Sequence, residues 1–372
     1  MMAETAPANS FLEEALVEAR KGTGLTSPNP MVGALLVHNG RVVGRGHHTW
    51  EGMKHAEVLA LEQAGELARG ATMYINLEPC CHQGRTGPCT QALIDAGVKR
   101  VVAAMADPNP LVSGKGFAEL RKAGVEVEID KSCTPEAEKL NEPFVHFMRT
   151  GRPLVMLKAA LTLDGKIAAP EDNRGWITSE RSRAHVQELR HASDAILTGI
   201  GTLLADDCLL TDRSLKPRHR PLLRIVMDSQ LRIPLQSRMV ESAQGDVLVV
   251  TTSAASAERR RALEERGVEV LVCDGANGRA DLGLLVEALA VRKHQSLMME
   301  GGSKINWAAL EAGVVDKVFF YYAPKILGGT QSLPVAGGTG RLSRKDALVF
   351  RDVKLHPIPP DEFAVEAWLE KS

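Results

Sequence analysis

His55 and Glu57, in "KHAEVLALEQAG", together with Cys80 and Cys89, in "NLEPCCHQGRTGPC", are the residues of this chain best suited to chemistry. One imidazole and two thiolates are three borderline-to-soft ligands, which suits zinc with a fourth position left open for water. A purely structural zinc knot would close with a fourth protein ligand. Cys89 follows Pro88 at a predicted helix start, where the positive end of the helix dipole favours a thiolate. Glu57 lies two positions from the imidazole in the first turn of a predicted helix, so it can lean over the open position. From there a carboxylate can take a proton from metal-activated water and return it to a leaving group. The interval "CHQGRTGP" also offers Cys81 and His82 as competing ligands. Cys80 and Cys89 are preferred because each is placed at the end of a regular element, Cys80 closing a strand and Cys89 opening a helix.

A second cluster has a different character. In "MMEGGSKINWAAL" a predicted strand ends at Glu300, two glycines expose backbone donors, and a helix follows, the layout of a phosphate cradle. No G-x-G-x-x-G follows a strand in this half of the chain, so an ordinary dinucleotide-binding fold is not supported.

The elements that must position these residues can be read from periodicity. "SFLEEALVEARKG" has helical spacing, with Ser10 as N-cap and Gly22 as stop. "MVGALLVHNGRVVGRGHH" reads as a hairpin about Asn39-Gly40. A helix "HAEVLALEQAGELA", a strand "ATMYINLE", a helix "CTQALIDAGV" and a strand "RVVAAMAD" follow, an α/β alternation. The stretch "PFVHFMRTGRP" mixes Gly, Pro and charge and reads as a bridge, which puts a domain boundary at residues 147 to 152. Beyond it, the strands "DAILTGIG", "LLRIVMDS", "DVLVVTT" and "VEVLVC" alternate with helices such as "TSERSRAHVQELRH" and "ASAERRRALEERG". A last strand-helix-strand unit begins at "SLMMEGG".

The bulk properties limit the partners. The 372 residues suit two domains, and 24% charged with 44% hydrophobic residues is an ordinary globular balance. A formal net charge of −1 and 4% aromatic residues argue against nucleic-acid binding. The first twenty residues carry Glu4, Glu13, Glu14 and Glu18 and no apolar run reaches membrane-spanning length, so the expected location is the cytoplasm. There, Cys80, Cys81 and Cys89 are read as ligands or thiols rather than disulfides. Cys133, Cys208 and Cys273 read as small buried residues.

An H-x-E followed by P-C-x-x-C is the arrangement of zinc deaminases, in which the Glu shuttles protons and is not a ligand. The longer cysteine interval here departs from that short form. "SPNPMVGALLV", "GRGHHTWEGMKHAE", "LEPCCHQGRTGPC" and "DPNPLVSGKG" resemble instead the deaminase half of the RibD family of bifunctional riboflavin-biosynthesis enzymes. "RPLVMLKAALTLDGKIA", "LADDCLLTDR", "MDSQLRIP" and "EGGSKINWAALEAGVVDKVFFYYAPKILGG" resemble its reductase half. The resemblance implies a cytidine-deaminase-like three-layer domain over residues 1–147, then a dihydrofolate-reductase-like α/β domain over 152–372. It implies deamination of 2,5-diamino-6-ribosylamino-4(3H)-pyrimidinone 5′-phosphate, then NADPH reduction of the ribosyl group to ribityl.

Carried over by position, the resemblance gives one Zn2+ per chain on His55, Cys80 and Cys89, with Glu57 as proton shuttle. Asn29 and His48 would bind the pyrimidine, and Arg85 and Asn109 the ribose phosphate. NADPH would meet Ala160, Trp176, Thr202, Asp206 and the run Gly301, Gly302, Ser303, Lys304, Ile305, Asn306 and Trp307. Arg190, Leu210, Arg213 and Glu300 would hold the second substrate, with Lys158 and Asp206 steering proton transfer. The expected partners are small-molecule substrates and further copies of the chain, with neither nucleic acid nor membrane. Three positions depart from the family pattern. Lys115 stands where Arg is usual, which keeps the charge and loses the fork. Arg174 replaces Ser, and Cys208 replaces Pro. Two other readings carry less weight. A nucleoside or RNA deaminase with an inert second domain leaves "EGGSKIN" and "LADD" without a use, and a zinc-stapled binding module leaves Glu57 without one.

Overall fold

A computed structural model describes residues 8–50, 54–82, 87–110, 112–171 and 173–371. The chain divides into two compact units, Met1–Gly151 with Pro217–Arg220, and Arg152–Lys216 with Pro221–Ser372. Among the described residues, no helix is long and apolar enough to cross a membrane.

The first unit runs α1 (Ala8–Arg20), β1 (Gly33–His38), β2 (Arg41–His47), α2 (Ala56–Ala64), β3 (Thr72–Ile75), α3 (Cys89–Asp95), β4 (Arg100–Ala103), α4 (Lys115–Lys122), β5 (Glu126–Ile129), α5 (Thr134–Leu140) and α6 (Glu142–Thr150). Its sheet has the order β2-β1-β3-β4-β5. The β1 strand pairs antiparallel with β2 and β3, whereas β3, β4 and β5 run parallel. At the β1–β2 turn, Asn39 and Gly40 have φ of 49° and 74°, the left-handed pair that a two-residue hairpin needs.

Strand alternation builds three layers. Ala34, Leu36, Met73, Ile75, Val101 and Ala103 face α2, α3 and α4 in one core. Their neighbours Leu35, Val37, Tyr74 and Val102 face α1, α5 and α6 in the other. The α2 helix lies very close to the sheet: a Cβ at Gly44 would fall 2.1 Å from the Ala60 carbonyl oxygen, and one at Gly46 2.1 Å from that of Ala56. The Ala56, Ala60 and Ala64 face of α2 and the two β2 glycines are therefore one fitted contact. It fixes the end of α2 that carries His55 and Glu57. Gly44→Val forces backbone apart in this core and is expected to destabilise the first unit by about 1–3 kcal/mol, read as a lower urea midpoint.

Three expectations need correcting. Ser10 lies inside α1 and not at its N-cap. "PFVHFMRTGRP" is not a linker. Pro143 sits in the first turn of α6, where its missing N–H costs nothing, and Gly151 in the left-handed region (φ 73°) ends the helix. "HAEVLALEQAGELA" is interrupted at Gly65 (φ 53°), after which residues Gly65–Ala68 form a 3-10 turn.

The second unit contains β6 (Leu154–Thr162), β7 (Lys166–Ala168), α7 (Glu180–Ala192), β8 (Ala195–Gly199), α8 (Ile200–Asp206), β9 (Leu223–Met227), α9 (Arg238–Glu241), β10 (Val247–Thr251), α10 (Ala257–Glu264), β11 (Glu269–Val272), α11 (Leu282–Val291), β12 (Ser296–Met299), α12 (Ser303–Glu311), β13 (Lys317–Ala323), β14 (Leu333–Pro334), β15 (Phe350–Ile358) and β16 (Glu362–Leu369). The large sheet is ordered β11-β10-β9-β8-β12-β6-β13-β16-β15. Neighbours from β11 to β13 run parallel, and β16 and β15 close the edge antiparallel. The parallel strands are apolar on both faces because helices cover both. Glu300 follows β12, and Thr202 and Asp206 lie in α8 directly after β8, at the C-terminal ends of parallel strands, the usual ligand side of such a sheet.

Candidate active sites

In the first unit, His55 is the N-cap residue of α2 and Glu57 its second residue. Cys89 opens α3 behind Pro88. Cys80 does not close β3, which ends at Ile75; it stands in the loop that follows, five residues past the strand end. Pro79 holds that loop against α4, where a Cβ at Gly116 would come within 2.2 Å of the Pro79 carbonyl oxygen. The loop thus takes over the placing that a strand end was expected to give.

His55, Cys80 and Cys89 bring one ligand atom each within 4.8 Å of one another. His55 Nδ1 lies 3.2 Å from Cys89 Sγ and 3.4 Å from Cys80 Sγ. Tetrahedral zinc with ordinary Zn–N and Zn–S bonds sets such ligand atoms about 3.5 Å apart, so this donor set fits zinc. Electrostatics point the same way. The contact between the two sulfurs drives the Cys80 thiol down to about 4 and pushes the Cys89 thiol up. The pair thus shares one proton by itself, and a bound cation would let both sulfurs ionise.

Glu57 is 3% exposed. Burial pushes its carboxyl up to about 7, with Cys80 adding to the rise and His55 opposing it. His48 stands edge-on to His55 at 5.3 Å, and burial lowers its pKa, which keeps the ring neutral. With Nδ1–H donating to the Lys54 carbonyl (3.1 Å), Nε2 accepts from the Asn29 amide (3.1 Å). The loop before β1 is pinned by two buried asparagines not singled out from the sequence. Asn76 accepts from the Gly33 amide and donates to the Met31 carbonyl, and Asn141 accepts from the Met31 amide. Asn76 had a readable signal, a polar residue at an interior position of the apolar run "TMYINL". Asn109 follows Asp107, whose Oδ1 accepts the Asn109 amide at 2.8 Å. Arg85 lies outside the described residues.

In the second unit, Glu300 is the residue just after β12 and lies between two cations. Arg190 donates from Nε (2.7 Å) and Nη2 (3.1 Å), and Lys158 Nζ lies 3.2 Å away. Arg190 is buried on α7 and not a solvated helix charge. Burial alone would raise the Glu300 carboxyl, but the Lys158 and Arg190 charges override it and hold the group at about 2. A carboxyl lowered from about 4.5 to about 2 contributes stability above its unfolded value, on the order of 3 kcal/mol. That contribution is lost as pH falls from about 4.5 towards 2. Glu300→Gln is expected to flatten this acid-side slope, measured as the urea midpoint against pH.

The α12 N-terminus starts at Gly302, with Thr202 beside it: a Cβ on Gly302 would sit 3.1 Å from Thr202 Oγ1. Gly337 and Gly338 cross the same end, where added Cβ atoms would fall 2.4 Å from Ser303 Oγ and 2.6 Å from Trp307 Cδ1. Among the described residues, Ser303 Oγ, Asn306 Oδ1 and Trp307 Nε1 are buried without a hydrogen-bond partner. Free helix amides, glycines and spare polar atoms together suit the phosphates of a nucleotide cofactor. Asp206 ends α8, and Leu210, in the left-handed region (φ 52°), is buried just beyond. Ala160 lies on β6 opposite Tyr321. Trp176 is 66% exposed, with the Arg183 guanidinium 4.9 Å from its ring centroid. The Arg213 amide donates to Gln187.

Residues 153–362 match the family described as RibD C-terminal domain, and residues 6–105 match the cytidine and deoxycytidylate deaminase zinc-binding region. The riboflavin biosynthesis protein RibD of Actinobacillus pleuropneumoniae is 43% identical over 90% of each chain. That of Aquifex aeolicus is 41% identical over 95% of this chain and 96% of its own. The chain belongs to the RibD family. Among solved structures, Acinetobacter baumannii RibD is 36% identical, covers 97% of this chain and 98% of its own, and superposes with a TM-score of 0.86. The diaminohydroxyphosphoribosylaminopyrimidine deaminase/5-amino-6-(5-phosphoribosylamino)uracil reductase of Thermotoga maritima gives 35% identity and a TM-score of 0.82, with the same coverage.

As a RibD, the chain is a bifunctional riboflavin-biosynthesis enzyme acting on small molecules, a zinc deaminase joined to an NADPH-dependent reductase. The cytidine-deaminase-like and dihydrofolate-reductase-like α/β assignments hold.

Proposed function

We propose that the first unit deaminates 2,5-diamino-6-ribosylamino-4(3H)-pyrimidinone 5′-phosphate, and that the second reduces the ribosyl group of the product to ribityl. On this reading residues 1–147 work as the deaminase and 152–372 as the reductase. The observation that carries it is the His55, Cys80 and Cys89 triangle with Glu57 buried beside it.

His55, Cys80 and Cys89 hold zinc, which when bound supplies a Lewis acid able to activate water at neutral pH. Glu57 then moves the proton: its carboxylate accepts it from the attacking water and returns it to the departing amine. Asn29 and neutral His48 orient the flat pyrimidine by directed hydrogen bonds, and Arg85 and Asn109 hold the ribose phosphate. In the second unit, the amides from Gly301 to Trp307, with Ala160, Trp176, Thr202 and Asp206, hold NADPH, which supplies the hydride for the sugar's anomeric carbon. Arg190, Leu210, Arg213 and Glu300 position the sugar phosphate. Lys158 and Asp206 steer the accompanying proton. We place the enzyme in the cytoplasm as a homo-oligomer that binds neither nucleic acid nor membrane, in keeping with its near-zero net charge.

Mass spectrometry of the product made from the diaminopyrimidinone phosphate, with and without NADPH, tests both steps. Without NADPH the product should have exchanged an amino group for oxygen, and with NADPH it should gain two hydrogens as well. An unchanged mass in both reactions would overturn the reading. The ligand set has its own test. Purified protein should carry about one zinc per chain, and Cys89→Ser should lose zinc and deamination together. Cys81→Ser should keep both. Full zinc retention in Cys89→Ser would return Cys81 and His82 to the ligand set.

A further inference from the structure

Glu78 is a buried carboxylate two residues before a proposed zinc ligand, and neither step described above uses it. It is 3% exposed. Its Oε2 accepts the backbone amides of Asp107 (3.1 Å) and Gly114 (2.9 Å), and its Oε1 accepts that of Phe117 (3.2 Å). Gly114 is the N-cap residue of α4, so two of the three donors belong to a helix N-terminus that would otherwise be open. The three amides span the whole segment 107–117. Within that segment Asp107 holds the Asn109 amide, and the Asn109 carbonyl accepts from Val112 and Ser113. On the other side, Glu78 is joined through Pro79 to Cys80, and Gly116 allows α4 to approach the Pro79 carbonyl.

We infer that Glu78 is a positioning residue of the deaminase, one carboxylate that fixes the loop carrying Asn109 relative to the loop carrying Cys80. It thereby sets how far a phosphate-anchored substrate reaches towards the metal. This rests on the reading of Asn109 as a phosphate-side residue. A simple helix cap would need only the amides of α4. Glu78 also holds the Asp107 amide, seven residues before that helix cap, and this ties the substrate loop itself to the metal loop. A deamination site depends on ångström-scale registry between an anchored substrate and its activated water. A carboxylate shared by the two loops provides it without touching either reactant.

The test compares wild type and Glu78→Gln as full-length, zinc-loaded enzymes. It measures deamination kcat and KM on the diaminopyrimidinone riboside with and without its 5′-phosphate. Wild type should prefer the phosphorylated substrate. Glu78→Gln keeps the shape but puts an N–H2 group among N–H donors, so it should lose about 10- to 100-fold in kcat/KM on that substrate. It should lose less on the unphosphorylated one, so that the phosphate preference shrinks. Zinc should stay near one per chain, and NADPH oxidation with the deaminated intermediate should be unchanged. A full phosphate preference in Glu78→Gln would overturn the inference, because a plain stabilising cap lowers the unfolding midpoint and leaves that ratio alone. Loss of zinc would also overturn it, by assigning Glu78 to the metal loop only. No phosphate preference in wild type would instead sink the reading of Asn109, and the inference with it. If Glu78→Gln does not fold, Glu78→Asp decides by the same ratio, since it keeps the charge and is one methylene too short to reach both loops.

Discussion

Glu57→Gln is expected to lower deamination by a factor on the order of a hundred or more while the protein keeps its zinc. The substitution removes the group that can carry a proton and leaves every ligand in place. Glutamine matches the carboxylate in shape, so the tight seat of α2 on Gly44 and Gly46 is undisturbed. Reduction of supplied deaminated intermediate should continue at its normal rate, because the variant changes nothing in the second unit. Zinc content by metal analysis, deamination by product mass and reduction by NADPH absorbance separate the three quantities. Near-normal deamination by the variant would move the proton-transfer role to another residue.

Gly301→Val is expected to raise the apparent NADPH requirement on the order of tenfold or more, with deamination unaffected. A side chain at Gly301 blocks cofactor phosphates from the backbone amides. The structure adds a nearer obstacle. A Cβ at Gly301 would lie 2.2 Å from Ile305 Cγ2 and 2.7 Å from Asn306 Oδ1, so valine must first push back the opening turn of α12. Either displacement spoils the same cradle, and both raise the NADPH concentration needed for half-maximal rate. Loss of both activities would mean that the turn supports the fold as a whole. Absence of NADPH oxidation by the wild type would remove the reductase assignment itself.

How much could be read beforehand depended on the range of the signal. Asn39-Gly40 is a local cue, and it produced its hairpin with the left-handed angles it implies. The helix starts at His55 and Cys89 followed from local periodicity and Pro88, and they place three of the four residues singled out first. Cys80 was misplaced because a loop held by α4 does the work expected of a strand end, and Gly116 gives no hint of this in sequence. The cluster of Lys158, Arg190 and Glu300 joins residues 110 and 142 positions apart, beyond any window of periodicity. Only the family resemblance brought them together. The β15–β16 hairpin was not read at all. Its β15 side is largely exposed at the sheet edge and lacks the apolar alternation that marks a half-buried strand.

The position of β6 in the large sheet has a consequence for how the chain is made. It is the first strand of its unit to be synthesised, yet it pairs with β12 and β13 and with no strand made in between. At about 5–20 residues per second, a ribosome needs roughly 7–30 s after finishing "LVMLKAALT" before those partners exist. The strands of the first sheet are all complete by residue 129, well before that wait ends. During synthesis the chain therefore carries an assembled deaminase sheet followed by an apolar strand with both edges bare. That interval, rather than any weakness in the finished enzyme, is where a chaperone has most to protect.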